Sequence, residues 1–272
     1  KNTTYDMRQY KRLQMFVHAE KLTVDITKLK DYELTCFVRI GSDMVNNYYE
    51  YEIPLRLTEP GNYSGTNSAD QEKVWYPENM FDFSFDALTK AKLKRNSANQ
   101  SGGSNVSNMT PYIVYDPDKP KNKITIKGNP SISDVENIMI GVRNASGEIK
   151  SGEIWADELR MSQFDESGGW AAMGNVAVGL SDIGTVNFSG RMETSGYGGI
   201  ESNVMTRRLD DLYQMNFSTA MELGRFLPEA VKLKIPAYFS YTNETLSPKY
   251  SPLDQDVLLK DALSALPAKQ NA

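Results

Sequence analysis

The chain has one cysteine and one histidine in 272 residues, which removes most of the raw material for catalysis and metal binding. Cys36 has no partner for an intramolecular disulfide. Its setting, "ELTCFVRI", reads as a buried strand in which a thiol behaves as a small hydrophobe. His18 also stands inside an apparent strand and reads as structural, and with one His and one Cys a zinc site or a Cys/His or Ser/His couple has almost no raw material. No run of about eighteen apolar residues occurs, and the mean hydropathy is −0.50; this is not a bundle of membrane helices. A basic excess is lacking too. The net charge of −5 is spread as 21 basic against 23 acidic residues up to 165, and 9 against 12 after it, which argues against a nucleic-acid partner. The first residues, Lys1-Asn2-Thr3-Thr4, do not have the form of a signal peptide, and the chain reads as a piece of a longer protein.

What is present is strand pattern, in two styles. Residues 1–165 hold short segments rich in β-branched and aromatic residues at 12–20, 33–41, 48–57, 122–128, 137–144 and 152–161, separated by turn sequences such as "DPDKPKNK", "KGNP" and "NASGE". One helix is expected over 85–96, with Asp86 at its start and Lys92, Lys94 and Arg95 at its end, the sense that complements the helix dipole. Many short strands with one helical excursion predict a mainly β fold, an antiparallel sandwich of jelly-roll type. In that setting Trp155 is expected in the core. Tyr48, Tyr49, Tyr51 and Trp75 are candidate ligand-contact aromatics, the basis of an alternative reading as a glycan- or protein-binding module.

After Gly168-Gly169 the pattern becomes clean alternation. Runs at 175–181, 185–194, 213–226 and 231–241 each place apolar residues on one parity and polar ones on the other. The apolar set includes Val176, Val178, Leu180, Val186, Phe188, Met192, Met215, Phe217, Met221, Leu223, Leu233, Ile235 and Phe239. The polar set includes Asn187, Ser189, Arg191, Glu193, Asn216, Glu222, Lys232 and Lys234. "SDIG" joins the first two runs as a hairpin, and Pro236 implies a bulge, an edge or a strand end near it. Two readings account for the alternation: a soluble sheet with one face on a core, or an outer-membrane barrel with one face to lipid and one to a wet lumen. The barrel reading also matches the contrast of a short joint with the long stretch "GYGGIESNVMTRRLDDLYQ", and puts Trp170 where an interfacial aromatic belt would lie.

Catalytic and metal-binding constellations are sparse. Asp157/Glu158 and Asp210/Asp211 are adjacent pairs, which a strand turns to opposite faces. A hydrolase needs a convergent acid pair, and none is found. Asp116 and Asp118 in "YDPDKP" could offer oxygen to calcium but lack a longer ligand series, so a turn is the plainer reading. The loop glycines do not open a helix as phosphate-binding loops do. The basic stretch Lys90 to Arg95 could touch lipid head groups, the plainer reading being a solvated helix face. No cofactor is expected.

Five blocks stand out: "TYDMRQYKRLQMFVHAE", "NNYYEYEIPLRLTEPG", "KGNPSISDVENIMIGVRN", "IWADELRMSQFDESGGWAAMGNVAVGLSDIGTVNFSG" and "PKYSPLDQDV". Together they resemble the SprA/Sov family, the outer-membrane translocon of the type IX secretion system of Bacteroidota. The least generic are "GGWAA" followed by "LSDIGTVNFSG", and "SPKYSPLDQDV"; Ala156 and Asp157 depart from the family-like form of their block. The resemblance implies a large single-chain barrel that passes folded cargo out of the periplasm, with inserted domains and no enzymatic activity. It also implies as partners secreted cargo proteins, other type IX secretion subunits and outer-membrane lipid. On that reading residues 1–165 are an inserted sandwich domain. Residues 166–272 are an incomplete stretch of barrel wall, with the apolar set facing lipid and the polar set facing the lumen.

Overall fold

The computed structural model describes residues 4–22, 26–100 and 106–266. The chain divides into two compact units: one built from the residues up to Asp165 together with those from Leu253 onward, the other from Glu166–Pro252. In chain order the first unit holds β1 (Tyr10–Lys21), β2 (Leu34–Asp43), β3 (Asn47–Pro54), α1 (Ser68–Val74), β4 (Phe81–Ser84), α2 (Phe85–Gln100), β5 (Tyr112–Tyr115), β6 (Lys123–Lys127), β7 (Asn137–Asn144), β8 (Gly152–Phe164) and, from the C-terminal segment, α3 (Leu259–Ser264).

These strands form two antiparallel sheets, three-stranded in the order β4-β1-β8 and five-stranded in the order β5-β6-β3-β2-β7. The period-two pattern explains why they stack. Leu13, Met15, Val17 and Ala19 of β1 and Cys36, Val38 and Ile40 of β2 point inward into one shared cluster with Tyr49, Tyr51 and Ile53 of β3. The Tyr51 and Phe83 rings stack across the two sheets with centroids 4.1 Å apart. Each fully buried side chain of this size contributes about 1.5–3 kcal/mol.

Helix α2 lays Phe85, Leu88, Ala91, Lys92 and Arg95 into the unit. Two of those five are cations, and neither is solvated: Lys92 is wholly buried and Arg95 nearly so. Lys92 Nζ lies 2.9 Å from Asp254 and 3.0 Å from Asp256, and donates to the Pro130 carbonyl oxygen at 2.9 Å. Asp256 in turn accepts from Tyr49 Oη at 2.7 Å and from the Ile132 amide at 3.3 Å. The segment from Leu253 therefore belongs to the first unit, held by a buried charge cluster, whereas the sequence pattern alone assigns it to the second.

Other expectations about this unit need correction. Trp155 is 61% exposed: it pairs with His18 in the β1–β8 register, on the parity opposite Val17 and Ala19, so its neighbour Ile154 takes the inward place. Tyr48, Tyr49 and Tyr51 are buried rather than displayed, Tyr49 and Tyr51 because they occupy core positions of β3. Trp75 is partly covered, 6.1 Å from the Phe16 ring and 5.9 Å from that of His18. His18 is structural: its Nδ1 donates to the Val74 carbonyl oxygen at 2.8 Å and so holds the end of α1.

Candidate functional site

The second unit is a single antiparallel sheet of β9 (Ala171–Gly179), β10 (Gly184–Glu193), β11 (Asp210–Glu222) and β12 (Pro236–Pro248), in the order β12-β11-β10-β9. It is open; no closed barrel occurs among the described residues. The β9–β10 hairpin forms where "SDIG" predicts it. Leu180 and Gly184 bond amide to carbonyl at 2.8 Å, and Gly184 has a φ of 152° with a position where a Cβ would lie 2.1 Å from the Ala220 carbonyl oxygen. Only glycine fits that crossing. Pro236 is the first residue of β12, where its missing N–H removes least from the ladder.

The register converts four separate alternations into two faces. One row across the sheet reads Val176, Phe188, Phe217, Tyr241 and the next Val178, Val186, Thr219, Phe239. On the opposite face the rows read Asn175, Ser189, Asn216, Thr242 and Ala177, Asn187, Ser218, Ser240. Agreement at every strand is demanding, because a slip of one residue in any pair would mix the faces. The Phe217 and Phe239 rings lie 6.1 Å apart, and Asn216 donates to Ser189 Oγ at 3.3 Å on the other side.

Among the described residues of this unit, none covers the apolar face in the way a soluble one-sided sheet requires. Val176 is 59% exposed, Phe188 45% and Tyr241 47%, and no residue of the apolar parity is buried. The buried members of the sheet are Leu212 and Glu193, both at one end of the polar face. There Glu193 pairs with Arg191 and, at 3.4 Å, with Arg208, which also reaches Asp210 at 2.9 Å. Asp211 instead accepts from the Ser195 amide at 2.7 Å. The neighbouring carboxylates thus have separate partners, as their opposite facing requires. Arg208 and Leu212 carry no alternation signal that would mark them from sequence.

The structure brings together Val176, Val178, Val186, Phe188, Met192, Met215, Phe217, Met221 and Phe239 on one face, and Asn187, Ser189, Arg191, Glu193 and Asn216 on the other. Six expected wall residues fall outside the strands. Leu180 lies in the hairpin turn, Leu223 in a 3-10 turn after β11, and Lys232, Leu233, Lys234 and Ile235 in the connection before β12. Lys232 has a φ of 48°, which breaks the extended run at that point. Glu222 ends β11, and its carboxylate accepts from the Gly224 and Ile235 amides, so it closes the turn.

Candidates in the first unit resolve into structure. Asp116 accepts from Tyr51 Oη and, at 2.9 Å, from the Asp118 amide, which makes it a turn former. Asp157 accepts from the Glu158 amide at 2.8 Å beside the register shift of β1–β8, and Glu158 pairs with Arg160 at 3.1 Å. Among the described residues no group of three or more potential metal ligands occurs. No helix among them is long and apolar enough to cross a membrane, a statement that does not bear on strands.

A family model described as motility related/secretion protein, SprA_N, matches residues 1–263. No curated protein matches the chain.

Proposed function

The chain belongs to the SprA_N family of motility related/secretion proteins, and on that premise we propose that its second unit is part of the wall of a protein-conducting outer-membrane channel. The observation that carries the proposal is the register of β9 to β12, which aligns four apolar parities on one uncovered face and four polar parities on the other. Strands of 9 to 13 residues are long enough for a tilted crossing, which takes about 9–11 residues. The apolar face would meet lipid, and the polar face, with Arg191 and Glu193, a hydrated lumen. An open sheet in hydrocarbon leaves two edges of unpaired backbone, so the wall would be completed by further strands. The folded sandwich is then a domain carried by the channel, the conduit passes secreted cargo and meets other secretion subunits, and no step in it calls for a catalytic group.

Charge placement tests the proposal in the intact membrane protein. Phe188→Arg puts a guanidinium on the lipid face and is expected to cost about 2–4 kcal/mol near mid-membrane, enough to lower assembly, whereas a charge on a hydrated lumen face costs little. Asn187→Arg is the lumen-side control. Equal loss of assembled protein for the two variants would favour a sheet packed against protein on both sides.

A further inference from the structure

The connection between β11 and β12, residues 223–235, is an organised turn that displays apolar side chains. Its backbone is folded tightly: the Leu223 amide donates to the Ile235 carbonyl oxygen at 2.8 Å, Leu227 to Gly224 at 3.1 Å and Val231 to Pro228 at 2.9 Å. A Cβ on Gly224 would lie 2.0 Å from the Leu233 carbonyl oxygen, so the two limbs of the connection touch. Its side chains nevertheless face outward, with Phe226 66%, Leu233 53% and Val231 50% exposed, beside Leu223 and Leu227.

Charge gives the second observation. Within residues 223–235 stand Arg225, Lys232 and Lys234 against the single acid Glu229, a local surplus of 3 − 1 = +2 in a chain whose net charge is −5. Arg225 lies 3.3 Å from Asp182 in the adjacent hairpin turn, while Lys232 and Lys234 are exposed and no ion pair reaches them among the described residues. Apolar side chains interleaved with lysines match the boundary of an anionic bilayer, where the rings and methyl groups enter the acyl edge and the ammonium groups stay with the phosphates. The connection also sits at one end of the strands, where the apolar face stops.

We propose that residues 223–235 form a headgroup anchor for the surface of a bilayer containing anionic phospholipid, with Phe226, Leu227, Val231 and Leu233 inserted and Lys232 and Lys234 bound to phosphate. The anchor rests on the reading of β9 to β12 as membrane wall. It takes the place of the basic stretch Lys90 to Arg95, whose Lys92 and Arg95 are buried in the first unit.

Vesicle binding of the full chain, delivered from detergent, tests the anchor separately from the wall. The probes are vesicles of phosphatidylcholine alone and vesicles with about a quarter phosphatidylglycerol. The wild-type chain is expected to favour the anionic vesicles by tenfold or more at low ionic strength, since each cation near such a surface is worth roughly fivefold. Lys232→Gln with Lys234→Gln removes that preference and leaves binding to neutral vesicles, while Phe226→Ser with Leu227→Ser weakens binding to both. Ala230→Lys, at an exposed position, strengthens the preference and guards against a variant that merely misfolds. An anionic preference that is absent, or that survives the double glutamine change, overturns the anchor. Preference carried by Lys232 and Lys234 in a chain that does not bind neutral vesicles keeps the anchor and removes the wall.

Discussion

Lys92→Met tests whether the buried charge cluster holds the C-terminal segment to the sandwich. Methionine retains most of the volume of the stem and removes only the ammonium, which in the native chain lies within 3.0 Å of Asp254, Asp256 and the Pro130 carbonyl oxygen. The change leaves the Asp256 carboxylate buried, with the Tyr49 hydroxyl and the Ile132 amide as its remaining donors. Breaking a fully buried pair by removing one partner costs about 3–5 kcal/mol, because the other charge is left uncompensated. Adding Asp256→Asn to Lys92→Met should recover part of that loss, so the double variant is less unstable than the sum of the singles. Hydrogen exchange at α2 and β3 amides is the assay, since it reads the first unit without requiring two-state unfolding of the whole chain. Protease cleavage after Leu253 should rise in parallel. A loss below about 1 kcal/mol for Lys92→Met, the range of an exposed pair, would refute the reasoning.

Two further predictions concern the sandwich. Burial alone would raise the pKa of Glu52, but hydrogen bonds from Lys123 and Thr35 and the charges of Arg143 and Lys123 outweigh it and hold the carboxyl below its usual value. A lowered folded-state pKa means stability that is complete above the unfolded value of about 4.3 and lost as pH falls through the lower folded one. Denaturation at a series of acidic pH values should therefore show the sandwich weakening below about pH 4, and Arg143→Met should flatten that slope. Burial pushes the Cys36 thiol up to about 12, so the native chain should resist a thiol reagent near pH 8 and react only at its rate of opening; fast stoichiometric labelling would place Cys36 at the surface.

Strand positions were legible because each buried or segregated strand needs its side chains at period two. The 137–144 strand falls where its Val/Ile pattern puts it, and the segments at 12–20 and 152–161 are each a little longer in the fold. The face segregation of β9 to β12 was legible for the same reason, and the register then aligned it. Short β4 and β5, of four residues each, are too brief to show a period. What failed were readings of single residues whose surroundings come from far along the chain. Tyr49 and Tyr51 look like surface aromatics until Asp256 and Asp116 supply buried acceptors for their hydroxyls. Lys92 and Arg95 look like a solvated helix end until residues 128, 130, 254 and 256 enclose them. In 231–241 the alternation runs unbroken through a turn, because apolar side chains at a strand end and in an exposed connection give the same pattern on paper; only the φ of Lys232 and the position of Pro236 separate them.

The central claim is that the two faces of β9 to β12 meet different media. Cysteine substitutions from Tyr213 to Ala220, one at a time in the intact membrane-embedded protein, test it along a single strand, and buried Cys36 contributes no background. Positions 214, 216, 218 and 220 should react with a water-soluble, membrane-impermeant maleimide, whereas 213, 215, 217 and 219 should be protected from it and, once labelled with a fluorophore, be quenched by lipid-borne nitroxide. Equal labelling on both parities, or protection of the odd positions without lipid quenching, would contradict the account.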